Sequence, residues 1–122
     1  MHTDEFIINF YDLKNGIKPA EIFITDLPPK MQAKVLRSIG MLKVNGSYLR
    51  EPYSKHLEDG IFEVRSQIGS DITRVLYFFM DGKRIILTHG FVKKTQKTPT
   101  SEIERAKRYR EEYFNRKEHN DE

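Results

Sequence analysis

Three apolar runs separated by turn residues fill the second half of the chain and leave it little choice of fold. Phe62–Ile68 (FEVRSQI) alternates, with Phe62, Val64 and Ile68 to one side and Glu63 and Arg65 to the other. That is the period of a strand with one buried face. Gly69-Ser70-Asp71 turns the chain, and Thr73–Met80 (TRVLYFFM) is apolar enough for a central strand. Asp81-Gly82 is a strong hairpin signal, and Arg84–Val92 (RIILTHGFV) supplies a third strand. Connections this short cannot hold parallel crossovers, so the three runs predict an antiparallel meander.

The flanks complete the pattern. Glu5–Leu13 (EFIINFYDL) is aromatic and β-branched and reads as a first strand, ended by Asn15-Gly16. Ala20, Phe23, Ile24 and Leu27 then recur at helical spacing after Pro19. From Pro29 to Val44, Met31, Val35, Ile39 and Leu42 form the apolar stripe of a second helix, with Lys30, Lys34, Arg37 and Lys43 largely opposite. Residues 47–60 have no period and read as a loop. Ser101 caps a last helix, Glu102–Asn115, with Glu104 at the capping-box position. Lys117–Glu122 reads as a frayed polar tail. The expectation is one α+β domain over residues 1–122, ordered β-α-α-β-β-β-α. Its antiparallel sheet carries two helices on one face, and the C-terminal helix is docked at an edge or held for a partner.

Composition removes several classes of function. The chain has no cysteine, so disulfides, thiolate metal sites and a cysteine nucleophile are all absent. Nothing then requires an oxidising compartment, and the expected location is the cytoplasm. The longest apolar run, Val75–Met80, has six residues, against the roughly 18 or more of a spanning helix. MHTDEF is acidic, without the apolar core of a signal peptide. The net charge of +3 is unevenly spread: residues 27–97 hold thirteen Lys/Arg against six Asp/Glu. A basic middle segment suits an anionic partner, nucleic acid above all, although an unevenly charged solvated surface has the same composition.

Hairpin pairing sharpens that charge into a candidate site. Arg65 and Arg74 face each other across one turn, and Lys93 and Lys94 return to the end that holds Arg74, so the four should converge. Lys55 and His56 precede the meander and Lys97 follows it. Convergent cations grip phosphate and stabilise the charge of a pentacovalent phosphoryl transition state. RNA carries its own nucleophile, the 2′-OH. Cleavage then needs alignment, acid–base help and charge neutralisation, with no metal and no other cofactor. A metal nuclease would want clustered carboxylates, and here Glu63 stands alone beside the turn residue Asp71. Each residue also has an ordinary reading. Arg65 and Arg74 could be structural ion-pair partners, and the lysines solvated strand ends. His89 could be a satisfied sheet histidine, and Tyr77 core. His2 and His119 lie in the expected frayed ends. His56, or a pairing of His56 with His89, could do acid–base work.

From Gly60 onward the chain resembles the phage-derived branch of the RelE/HigB toxins. The pattern is G-aromatic-E-aliphatic-R (Gly60, Phe62, Glu63, Val64, Arg65), then R-V-L-Y-F (Arg74 to Phe78) and a glycine turn (Gly82). H-G-F-x-K-K-T-x-K-T-P comes next (His89, Gly90, Phe91, Lys93, Lys94, Thr95, Lys97, Thr98, Pro99), then an E-I-x-x-A helix (Glu102, Ile103, Ala106). The resemblance implies the toxin of a type II toxin–antitoxin pair that cuts mRNA in the ribosomal A site and is held by a helix-turn-helix antitoxin. The family's basic cleft falls on Arg65, on Lys93 and Lys94, and on Lys55 and His56; taken with the cluster above, the expected catalytic set is Arg65, Lys93, Lys94 and His56, with Lys55, Arg74, Lys97 and His89 on the RNA. Some family members place a catalytic tyrosine just beyond the last strand. This chain has Thr95, Gln96, Lys97 and Thr98 there, so His56, His89 and a lysine all stand as the general base. A non-catalytic nucleic-acid-binding or regulatory module on the same scaffold is the alternative.

Overall fold

A computed structural model describes residues 5–94 and 96–120, the side chains of 118–120 excepted. His2, Thr95, the last two residues of the expected tail and the His119 side chain lie outside that description. The elements are β1 (Ile7–Phe10), α1 (Pro19–Thr25), α2 (Pro29–Asn45), a short 3-10 turn (Gly46–Tyr48), β2 (Ser54–Glu58), β3 (Ile61–Ile68), β4 (Asp71–Met80), β5 (Arg84–Lys93) and α3 (Thr100–Asn120). The α+β class and the β3-β4-β5 meander are as expected. Among the described residues no helix is long and apolar enough to cross a membrane.

The structure corrects five expectations. The loop over 47–60 contains a strand: β2 pairs antiparallel with β3 and makes a five-stranded sheet of order β1-β5-β4-β3-β2. Its sequence, SKHLE, offers one apolar residue, because an edge strand presents charge to solvent and shows no core-facing alternation. The sheet is mixed rather than antiparallel, since β1 runs parallel to β5 with Ile7 opposite Arg84 and Phe10 opposite Leu87. The chain returns to β1 only after two helices and three strands, so no turn dictates the sense of that pairing. The last helix starts at Thr100, with Ser101 inside its first turn. The Glu102 and Ile103 amides donate to the Pro99 carbonyl, at 3.1 and 3.3 Å. It also continues through Lys117 to Asn120, where a frayed tail is expected, and it covers the second face of the sheet rather than an edge.

Both faces of the sheet are therefore core. Ala20 and Ile24 of α1, with Met31, Val35, Ile39 and Leu42 of α2, pack on Val64, Val75, Tyr77, Ile85 and Leu87. On the other face Ile61, Leu76, Phe78 and Ile86 meet Tyr11 and Ala106. This two-sided burial explains why TRVLYFFM lacks alternation. A bulge interrupts β5 and decides which way its histidine points. Leu76 pairs with His89 and Tyr77 with Leu87, which leaves Thr88 as the extra residue. Thr88 Oγ1 donates to the Leu76 carbonyl at 3.1 Å. The bulge reverses the parity of the strand, so Leu87 faces α1 and α2 while His89 faces α3.

α3 is held along its length. His89 Nε2 and Glu102 Oε1 are 2.9 Å apart. Lys107 bridges Glu58, Asp59 (3.2 Å) and Glu104 (3.4 Å). Tyr109 stacks on the buried Tyr11 with centroids 4.5 Å apart, and Arg116 reaches Asp12 at 3.7 Å.

Candidate functional site

Strand register builds the site. β3 and β4 pair so that Arg65 stands opposite Arg74 and Glu63 opposite Leu76. Glu63, Arg65 and Arg74 share the α3-facing side of the sheet at one end. The Glu63 carboxylate, 1% exposed, joins the two arginines: Arg65 Nε lies 3.2 Å from Oε2 and Arg74 Nε 3.7 Å from Oε1. Thr98 Oγ1 donates to the same carboxylate. Both guanidinium groups also donate to the Gln96 carbonyl, Arg65 at 3.0 Å and Arg74 at 2.7 Å, and Arg65 adds a bond to Gln96 Oε1 at 3.0 Å. A buried carboxylate thus fixes two cations, and the two cations fix the segment that comes after β5.

The two arginines are not equivalent. Arg74 is 0% exposed. Burial lowers its pKa, the Glu63 carboxylate works against that shift, and Arg65 adds to it. An arginine nonetheless keeps its proton in a protein. The ordinary reading, a structural ion-pair partner, describes Arg74. Arg65 is half-buried and opens into a cavity of about 270 Å³ with Lys34, Tyr53, Gln67 and Gln96. On the other side of Gln96, a cavity of about 460 Å³ is lined by Lys55, His56, Lys97, Thr98 and Ile103. The arginine–Gln96 ridge therefore separates two open grooves.

The remaining residues divide between the rim and the interior. Lys55, His56, Lys93, Lys94 and Lys97 are exposed. Lys93 pairs with Ile72 across β4, on the face that carries Arg74, and Lys94 lies in the bend after β5. His56 packs edge-on against Phe62 at 4.9 Å, and its Nε2 accepts the Gly60 amide at 3.1 Å. That bond puts the proton of the neutral ring on Nδ1. His89 is buried on the opposite face from His56, between Glu102 and Thr88, whose hydroxyl lies 3.2 Å from Nδ1. Burial is the leading cause of its lowered pKa, opposed by Glu102. The two histidines do not meet. Tyr77 is core: its hydroxyl bonds Ser54 at 2.5 Å, and burial pushes its pKa up to about 12.

Sequence reading missed Gln96 and the Thr98 bond to Glu63; it allowed Arg65 a pairing with Glu63, and the structure shows that pair. The E-x-R spacing puts Glu63 and Arg65 on one strand face and is a usable signal. Nothing in Gln96 itself marks it, because both arginines take its backbone carbonyl. Among the described residues no three His, Asp or Glu side chains gather in a group that could hold a metal. A cavity of about 610 Å³ lies at the other sheet edge beside Asp12, Arg84 and Arg116. Arg116 there is tied to Asp12 and Glu112, which makes it a clamp for α3 rather than an open cation.

The family model described as Phage derived protein Gp49-like (DUF891) matches residues 22–111, most of the chain and the whole of the site. No curated protein matches the chain.

Proposed function

The chain belongs to the phage-derived Gp49-like family, a family associated with RelE-like toxins, and on that footing we propose that it is the toxin of a type II toxin–antitoxin pair of the RelE/HigB kind. Its activity is cleavage of mRNA in the ribosomal A site, by attack of a 2′-OH on the adjacent phosphorus without a metal. Its partner is a helix-turn-helix antitoxin. The observation that carries this reading is the ridge at Arg65. One guanidinium is held by Glu63 and Gln96 and opens into one of two grooves that meet at Gln96, whose walls carry Lys34, Lys55, His56 and Lys97.

In this reading the scissile phosphate crosses the ridge. Arg65 neutralises the charge that grows on the equatorial oxygens, and it is pre-oriented, so little reorganisation accompanies reaction. Arg74 acts through Arg65 and Gln96 as a positioning residue. Lys93, Lys94 and Lys97 hold the RNA backbone on either side. His56 assists with acid–base work at the leaving 5′-oxygen; its Nε2 is engaged by the Gly60 amide, which leaves Nδ1 as the ring nitrogen open to the substrate. Lys55, its neighbour on β2, assists by charge, and the 2′ proton passes to solvent water.

Expression in cells tests the assignment. Arg65→Ala and a Lys93→Ala/Lys94→Ala double variant, at equal expression, are expected to lose growth inhibition; if both inhibit like the parent chain, the catalytic set is wrong. Primer extension on cellular mRNA separates this reading from a non-catalytic binding module, because cuts within translated codons arise only from a nuclease.

A further inference from the structure

The cavity on the α2 side of the ridge has an aromatic wall that the catalytic set leaves unused. The Arg65 amide donates to the Tyr53 carbonyl at 2.8 Å, and the Tyr53 amide donates to the Arg50 carbonyl at 3.0 Å. Ser54 pairs with Val64, so the first of these bonds extends the β2–β3 ladder by one residue and sets Tyr53 directly opposite Arg65. Opposed residues on neighbouring strands lie side by side. Tyr53 is 47% exposed although its backbone is pinned at both ends, and it shares a cavity of about 270 Å³ with Arg65, Lys34, Gln67 and Gln96. Lys34 Nζ donates to the Gln67 carbonyl at 2.5 Å, which holds a cation at the far wall. Gln96 spends its amide oxygen on Arg65 and keeps its amide nitrogen as a donor.

A flat π face beside a fixed guanidinium, with side-chain amides around it and a space smaller than a drug-sized pocket, matches one nucleotide. The base stacks, the phosphate meets the arginine, and an amide reads the base edge. We infer that Tyr53 is the stacking platform for the mRNA base next to the scissile phosphate on the α2 side, and that the Gln96 amide nitrogen and the Gln67 amide oxygen, whose own nitrogen donates to the Gly69 carbonyl at 2.9 Å, face its edge. The inference rests on the ribonuclease reading and adds the residue that seats one base and influences which sequence is cut.

The test uses the full chain on purified ribosomes translating a defined mRNA, with cuts mapped and quantified by primer extension. Tyr53→Phe keeps the π face and is expected to cut within about twofold of the parent. Tyr53→Leu keeps much of the bulk without the π face and is expected to cut about tenfold or more slowly, as loss of one base stack requires. Its cutting should also discriminate less between bases beside the scissile bond. Tyr48→Leu, at a tyrosine 79% exposed and outside the cavity, should change nothing. In parallel, an mRNA with a 2′-deoxy nucleotide at the cut and 4-thiouridine next to it should photocrosslink to Tyr53 in the parent chain. If Tyr53→Leu cuts at the parental rate and positions, or the crosslink falls elsewhere while the parent cuts normally, the base site is refuted and the nuclease reading stands. If the parent cuts nothing, the nuclease reading fails and takes the base site with it.

Discussion

Glu63 joins two cations to the sheet, and Glu63→Gln tests that buried ion pair with almost no change of shape. The amide keeps an acceptor for Thr98 and removes one negative charge. In the native protein that charge lies 3.2 Å from Arg65 Nε and 3.7 Å from Arg74 Nε. Arg65 can relax toward solvent, but Arg74 is 0% exposed. It keeps its 2.7 Å bond to the Gln96 carbonyl while losing the Glu63 counter-charge. Removing one partner of a buried pair costs about 3–5 kcal/mol. The Gln96 bond places this case at the lower end, about 3 kcal/mol. With a urea m-value near ~2 kcal/mol/M, the unfolding midpoint should fall by about 1.5 M at unchanged m. A Glu63→Leu/Arg74→Met double variant should recover most of the loss, because apolar replacement of a whole buried pair is often close to neutral. Circular dichroism in urea reads all three proteins. A Glu63→Gln midpoint within about 0.3 M of the parent, or a double variant no better than the single, would show that this ion pair does not hold the meander together.

The same geometry sets three other expectations. Arg65→Ala should leave the unfolding free energy in urea within about 1 kcal/mol of the parent, since the Arg65 side chain is partly exposed and Glu63 keeps Arg74 and Thr98. Cleavage on the ribosome should nonetheless fall about 10²–10³-fold, the usual effect of removing one preorganised donor. Gly90→Ala should destabilise by about 1–3 kcal/mol in urea melts, because its Cβ would meet the Phe23 ring at 2.4 Å and the Arg74 carbonyl at 3.0 Å. Phe23→Ala in the same chain should relieve part of that loss. His89 has a lowered pKa when folded, so the unfolded chain binds its proton more readily. Its contribution is whole above the unfolded value near ~6.5 and is lost as pH falls below it, at a slope of at most about 1.4 kcal/mol per pH unit. Urea midpoints should drop from pH 7.5 to pH 5.5, and less steeply in His89→Asn.

The meander and the helix α2 were legible because each writes its own period. The edge elements were not. β2 carries one apolar side chain in five residues, so it looks like the loop it interrupts, and β1 gives no sign of which neighbour it will take or in which direction. The length of α3 was hidden for a different reason. Beyond Asn115 the helix continues with polar residues, and an anchor such as Arg116 against Asp12 and the Tyr11 ring lies in three dimensions. The position of His89 turned on a single extra residue, Thr88, and a bulge has no composition of its own.

The site was legible as a set of cations and illegible as an order among them. Arg65 and Arg74 are the same residue type on paired strands, and only the depth of the sheet beneath α3 makes one a buried strut and the other an open ligand. That division has a consequence for the segment between β5 and α3. Because both guanidinium groups bond the Gln96 carbonyl, that segment's position depends on the pair more than on its own sequence. Gln96→Ala keeps the carbonyl and removes the side-chain bond to Arg65. It should therefore leave stability nearly unchanged while loosening the Arg65 fork, lowering cleavage by less than Arg65→Ala does. Gln96→Pro would misdirect the carbonyl itself and should cost both. If Gln96→Ala instead melted like Glu63→Gln, the amide side chain rather than the backbone would be the anchor, and Arg74 would not be the residue that sets the ridge.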